Sequence, residues 1–273
     1  MTGIWIAGLA ALFVWWFSTG AILMAVTRAR RGGRDGYVNV VVLALPLLAL
    51  GCAGIAASLG DASVAGAYTA FVSAILIWGW FELAFLAGII TGPYARPCPP
   101  GLDGWPRFLR AWGAIAYSEM ALIATTTLLV AVSLGAPNQV GMWTFVVLFA
   151  ARITAKLNVY LGVPNINEEF LPDPVRHLSS HFRRAPMNGF FPWSVTFLTF
   201  ATACWIERMV DAPAGSGAET GFALLAALTA LALVEHWMMV LPVRDAALWT
   251  WALPRTTSEP SDEPAGLEAR HET

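Results

Sequence analysis

Six ionisable side chains stand inside stretches that are otherwise apolar: Glu82, Glu119, Arg152, Lys156, Glu235 and His236. Lys156 is the only lysine in the chain, and Arg152, four residues earlier, shares its face if the segment is helical. Groups of this kind cost about 2.5–3.5 kcal/mol each at the centre of a membrane helix, so they are functional candidates by default. Three chemistries suit the set. Acids and cations can compensate one another as a buried network that fixes helix order, because only pairing and hydrogen bonding offset the burial. The same groups can line a polar pocket for a head group, a pigment or a proton. Several Glu and a His on different helices can also hold a metal, as in carboxylate di-iron bundles with their Glu-x-x-His pairs. The spacing argues against the metal. Glu235 and His236 are consecutive, no Glu-x-x-His occurs in these segments, and two cations compete for the carboxylates. We therefore expect a binding or structural polar layer of Glu82, Glu119, Arg152, Lys156, Asn158, Glu235 and His236, with no catalytic residue. No metal is expected; Glu82, Glu119, Glu235 and His236 are the ligand set if one is held.

Elements that could position such groups follow from composition. The chain is 57% hydrophobic and only 12% charged, with 273 residues and a net charge of −2. Soluble domains carry about 25% charged residues, so the chain reads as an integral membrane protein. No basic patch with interleaved aromatics points to nucleic acid. Cys52, Cys98 and Cys204 are odd in number and scattered, which is not a disulfide framework.

A spanning helix needs about 20 mostly apolar residues. Seven runs qualify, at 4–26, 38–59, 66–90, 110–134, 140–161, 189–209 and 219–242. They predict an all-α, seven-helix polytopic bundle occupying 1–253 as one domain. The first run has no basic stretch before it and no small-residue cleavage site after it, so it is expected to be retained. Arg28, Arg30, Arg31, Arg34, Arg96, Arg107, Arg110, Arg176, Arg183, Arg184, Arg244, Arg255 and Arg270 fall on one side, and Arg208 alone on the other. That asymmetry predicts an outside N-terminus and a cytoplasmic C-terminus. With a rise of about 1.5 Å per residue, Glu82, Glu119, Lys156, Glu235 and His236 all lie roughly 12–14 Å from the inner helix ends, and Arg152 roughly 18 Å. A common depth on four helices suggests one cluster.

The inner loops are long and patterned. Thr91 to Arg110 is rich in proline and glycine and reads as an irregular path. Asp173 and Pro174 look like the cap and first position of a short helix, with Val175, Leu178 and Phe182 on one face. That pattern fits an interfacial amphipathic helix over 173–184 and fits equally a helix packed on the bundle floor. His177 and His181 could form a two-His site beside Glu168 and Glu169, although surface histidines are commoner. A second interfacial segment is expected at 244–253 and a disordered tail at 254–273. Cys98, Gly162, Pro164, Asn165, Glu168, Glu169 and Pro172 are the expected partner-facing loop residues.

Seven helices with an outside N-terminus invite a retinal reading, but the last helix has no lysine for a Schiff base. Paired broken helices of transporters are absent, and His236 is the only intramembrane histidine that could bind a pigment magnesium.

Several runs in order carry a specific resemblance: WFELAFLAGIITGP (80–93), RPCPPG (96–101), PNQVGMWTF (137–145), AKLNVYLGVPN (155–165), EEFLP (168–172) and FRRAPMN (182–188). Over roughly residues 70–240 the chain resembles the photosynthetic complex assembly protein 2 family (PuhE). The resemblance implies a multi-pass protein of a phototroph's inner, photosynthetic membrane, whose gene set includes the reaction-centre H subunit. It implies an assembly or regulatory role toward reaction-centre and light-harvesting subunits or the enzymes of bacteriochlorophyll supply, with bacteriochlorophyll or a precursor as the conceivable ligand. The family often has His-Glu where this chain has Ser118-Glu119, which removes a ligand from any metal site. The residues favour binding over catalysis. The alternatives from other classes are a metal-dependent membrane enzyme of tetrapyrrole or quinone metabolism, and a carrier of pigment or its precursors.

Overall fold

A chain that leaves water must satisfy each backbone N–H and C=O internally, and a helix does so within one segment. The computed structural model, which describes residues 2–168 and 171–241, is accordingly helical throughout, with no β-strand among the described residues. Its α-helices are α1 (Thr2–Ala29), α2 (Gly33–Leu43), α3 (Leu45–Ser58), α4 (Val64–Leu86), α5 (Gly104–Ser133), α6 (Val140–Leu161), α7 (Phe191–Asp211) and α8 (Gly217–Met238). Among the described residues five helical stretches are long and apolar enough to cross a membrane: Gly3–Ser58, which contains α1 to α3, then α4, α5, α6 and α8. Large apolar side chains face outward along them, including Leu9, Phe13, Leu50, Leu128 and Phe17. In water such a surface would be a liability; against lipid it is the expected exterior. Glu169, the segment 244–253 and the tail 254–273 lie outside the described residues.

The expected runs differ from the helices where local chemistry intervenes. The second run is two helices, because Pro46 has no N–H to bond back and its ring crowds the preceding turn. The third run ends at Leu86 rather than at residue 90. Gly88 adopts φ +73°, Ile89 N–H donates to Ala84 O and Gly88 N–H to Phe85 O. This paired left-handed closure terminates a helix and favours glycine. The fourth run starts earlier, at Gly104, since Pro106 in the first turn removes only an N–H that would have no intrahelical partner. The expected irregular loop therefore shrinks to about Thr91–Asp103.

Helix α8 is the hub, packed against α1, α4, α6 and α7, while α3 lies along α4. Small residues allow the close approach that membrane helices use. A Cβ at Gly54 would meet Ser73 Oγ at 2.0 Å, and one at Gly51 would meet Ser73 O at 2.9 Å. By contrast α5 stands at the margin, against α6 and the short helix of the inner loop.

That short helix, Asp173–His181, is a 3-10 helix. Three residues per turn put Val175, Leu178 and His181 on one face. All three are buried, and Phe182 takes only a half-buried flank. The face packs against Phe85 and Ala114, so the segment belongs to the floor of the bundle.

Candidate functional site

One face of α6 carries Arg152 and Lys156 toward α4 and α5. The Arg152 guanidinium pairs with Glu82 Oε1 of α4 and lies 3.4 Å from Glu119 Oε1 of α5. Lys156 Nζ stands 2.5 Å from the same Glu119 oxygen. Arg152 Nη2 also donates to Ser118 Oγ at 3.4 Å. Phe85 is the wall between the cations, 4.8 Å from Arg152 and 4.5 Å from Lys156 by ring centroid. Its ring face is a favourable desolvated neighbour for positive charge. Two carboxylates and two cations make the group neutral. Glu119 is wholly buried, and its second oxygen, Oε2, has no hydrogen-bond partner among the described residues.

Asn158 lies two residues beyond Lys156 on α6 and is also wholly buried. It donates to Thr154 O and to Ser194 Oγ, and accepts from Asn188. Asn188 is a functional position that sequence reasoning missed. Its amide donates to Asn158 and Gly162 O, while its Oδ1 accepts from Phe190 N and Phe191 N at the start of α7. An Asn just before a helical run is a cap signal that could have identified it.

His236 does not join the charged group. Its Nδ1 faces Ala232 O at 2.7 Å and its Nε2 faces Thr154 Oγ1 at 2.9 Å. A carbonyl can only accept, so Nδ1 carries a proton, while Nε2 meets a Thr154 hydroxyl that is also within donating distance of Ala150 O at 2.9 Å. Both nitrogens are thereby engaged. Glu235, 100° around α8, is exposed. Glu82, Arg152, Glu235 and His236 nevertheless line one cavity of about 430 Å³, with Trp15 and Trp78 among its walls.

The expected partner-facing loop divides. Gly162 is buried at φ +127°, and Val163 N–H bonds Arg183 O, which ties the exit of α6 to the 183–185 segment. Asn165 serves the bundle: its N–H reaches Met239 O at 3.0 Å and its amide Met238 O at 3.0 Å, satisfying carbonyls at the end of α8. Pro164 and Pro172 are half-buried, and Cys98 is held by its N–H to Ser180 Oγ. Glu168 is exposed and pairs with Arg184 at 2.9 Å.

His177 and His181, weighed as a possible two-His site, lie on the 3-10 helix of the floor, while Glu168 pairs with Arg184. His181 is buried and Arg107 donates to its backbone O at 2.8 Å. Burial, then the nearby Arg107, His177 and Arg110, hold its pKa below the usual imidazole value. Burial does the same to His177. Among the described residues no three His, Cys, Asp or Glu side chains gather as a metal-ligand set.

Fold and site together define an all-helical protein with membrane-type helices and a buried, charge-balanced polar layer. The chain belongs to the family described as "Protein of unknown function (DUF3623)", whose model matches residues 1–260. It is 52% identical over 254 residues to an uncharacterized 30.4 kDa protein in the puhA 5' region of Rhodobacter capsulatus, covering 93% of this chain and 92% of that one. No solved structure matches.

Proposed function

We propose that this protein is an assembly or regulatory factor of a bacterial photosynthetic membrane, acting by binding. The observation that carries this reading is the 52% identity to a Rhodobacter capsulatus protein named for the puhA region, which accords with the resemblance to the PuhE family. The clients are reaction-centre and light-harvesting subunits or the enzymes of bacteriochlorophyll supply. In this reading seven spans cross the inner membrane with the N-terminus outside, α7 among them, so that the arginine-rich loops face the cytoplasm.

Binding rather than chemistry is supported by how the polar groups are used. Glu82 and Glu119 neutralise Arg152 and Lys156, and His236 is committed to Thr154 and Ala232. The layer then sets the order of α4, α5 and α6, and the inner floor built on it presents the partner surface. The test is deletion of the gene in a phototrophically grown strain, with pigment and complex profiles and pull-down of tagged protein. Altered reaction-centre or light-harvesting levels with recovery of their subunits or pigment enzymes are expected. Unchanged profiles and recovery of neither overturn the reading.

A carrier of pigment or precursor is the second reading, favoured by the 430 Å³ cavity with apolar walls and polar groups at Glu82, Arg152 and Glu235. Co-purification of a tetrapyrrole that is lost on filling the cavity with Gly79→Phe would support it.

A further inference from the structure

We propose that the cavity between α6 and α7 is a binding site for an anionic phospholipid. This site is separate from the polar layer and rests on the reading above only in taking α7 as a membrane span. Helices α6 and α7 are joined near both ends and part between them. At one end Asn158 bonds Ser194 at 2.8 Å. At the other, the Trp143 and Trp205 rings meet edge to face, with centroids 5.3 Å apart. Between those joints lies a cavity of about 910 Å³, closed behind by α8 and mostly apolar. Phe197 and Phe200 line it and are themselves 52% and 69% exposed, so it opens sideways, toward the lipid.

One polar feature on its wall points to the occupant. Arg208 lines the cavity, is exposed, and has no carboxylate within ion-pair distance among the described residues. It stands three residues before the end of α7 at Asp211, so a cation marks the mouth of an apolar cavity. A glycerophospholipid has the matching order, phosphate at the surface and acyl chains below. Its phosphate would pair with the guanidinium, which binds phosphate oxygens with geometric specificity. Its acyl chain would run inward past Ala201 and Phe197 toward Thr229, all cavity residues.

The full-length protein, delipidated in detergent, is titrated with phosphatidylglycerol, with phosphatidylcholine of the same chains, and with oleate, and bound species are counted by native mass spectrometry. One phosphatidylglycerol is expected per protein, about tenfold tighter than phosphatidylcholine. Arg208→Gln should erase that preference by weakening phosphatidylglycerol about tenfold while leaving phosphatidylcholine unchanged. Ala201→Phe should exclude both by filling the cavity without removing a polar contact. Circular dichroism and monodispersity confirm that each variant folds. Equal retention of the two phospholipids, or retention unchanged in Arg208→Gln and Ala201→Phe, overturns the proposal. So does oleate binding as tightly as phosphatidylglycerol, which would assign the site to a free carboxylate amphiphile.

Discussion

Lys156 Nζ lies 2.5 Å from Glu119 Oε1, and the two partners are unequally buried, with 27% of the lysine side chain exposed and none of the carboxylate. Glu119 is therefore the fixed member of the pair. It is also shared, since Arg152 Nε approaches the same oxygen at 3.4 Å. Without Glu119, Arg152 would keep its ion pair with Glu82 and Lys156 would lose the carboxylate it pairs with. Without Lys156, Glu119 would keep Arg152. This carboxylate also ties α5 to α6 at the bundle edge.

The first prediction follows from that asymmetry. Glu119→Gln should destabilise by about 3–5 kcal/mol, since removing one partner strands buried charge. Lys156→Met should cost less than half as much, because its ammonium is partly wet and Glu119 retains a cation. A double variant should be milder than the sum of the two, a coupling of about 1–3 kcal/mol between contacting residues. Thermal unfolding in one detergent measures all three. Equal losses for the two single variants would show that burial does not decide the ranking.

Gly88 ends α4 with φ +73°, and a Cβ there would meet Pro174 Cβ at 2.6 Å. Gly88→Ala should therefore cost about 1–3 kcal/mol from backbone strain alone and should also lift the 3-10 helix off Phe85. Brief trypsin treatment reports this, with cleavage after Arg176 and Arg183 faster than in the unaltered protein while cleavage after Arg208 is unchanged.

The same glycine shows what hydropathy can and cannot read. A window of apolar residues registers the solvent a segment prefers, so the helical runs and their all-α character were legible. Residues 87–90 are as apolar as those before them, yet Gly88 turns the chain, because a left-handed φ is a property of one residue. Arg152, Lys156, Glu82 and Glu119 were legible as a set because buried charge requires a counter-charge. Glu235 shares their depth and lines the cavity beside Glu82 and Arg152, yet it is exposed where Glu119 is wholly buried, a difference that depth alone does not encode. His236 is satisfied by Thr154 and a carbonyl of its own helix, partners with no charge to betray them. Asn165 was legible as a loop residue but its role was hidden, because it bonds Met238 O and Met239 O and backbone atoms carry no sequence signature.

Asn188 supplies both the acceptor for the first N–H groups of α7 and two donors to the end of α6. Asn188→Ala should cost about 2–3 kcal/mol, combining a lost cap with a buried Asn158 left short of a partner. Asn188→Asp should restore the cap but not the donors, and should place its charge against Asn158 O and Gly162 O. Hydrogen exchange separates the two effects. The amides of Phe190 and Phe191 should exchange faster in the alanine variant only, while those of Gly162 and Val163 should exchange faster in both.

Acid should loosen the inner floor through His181. Its folded-state pKa is held below 6.5, first by burial, then by Arg107, His177 and Arg110. In the unfolded chain the imidazole returns to about 6.5, so below that pH the unfolded state binds the proton more readily. The contribution to stability is complete above about pH 6.5 and is lost as pH falls toward the folded-state value. The groups facing the ring from neighbouring elements are cationic, which strengthens the effect. Melting temperature measured from about pH 7.5 down to about pH 5 should fall in the unaltered protein. His181→Gln, which cannot take up a proton, should lie lower at neutral pH and decline less steeply. Parallel slopes for the two proteins would assign the acid sensitivity to another group.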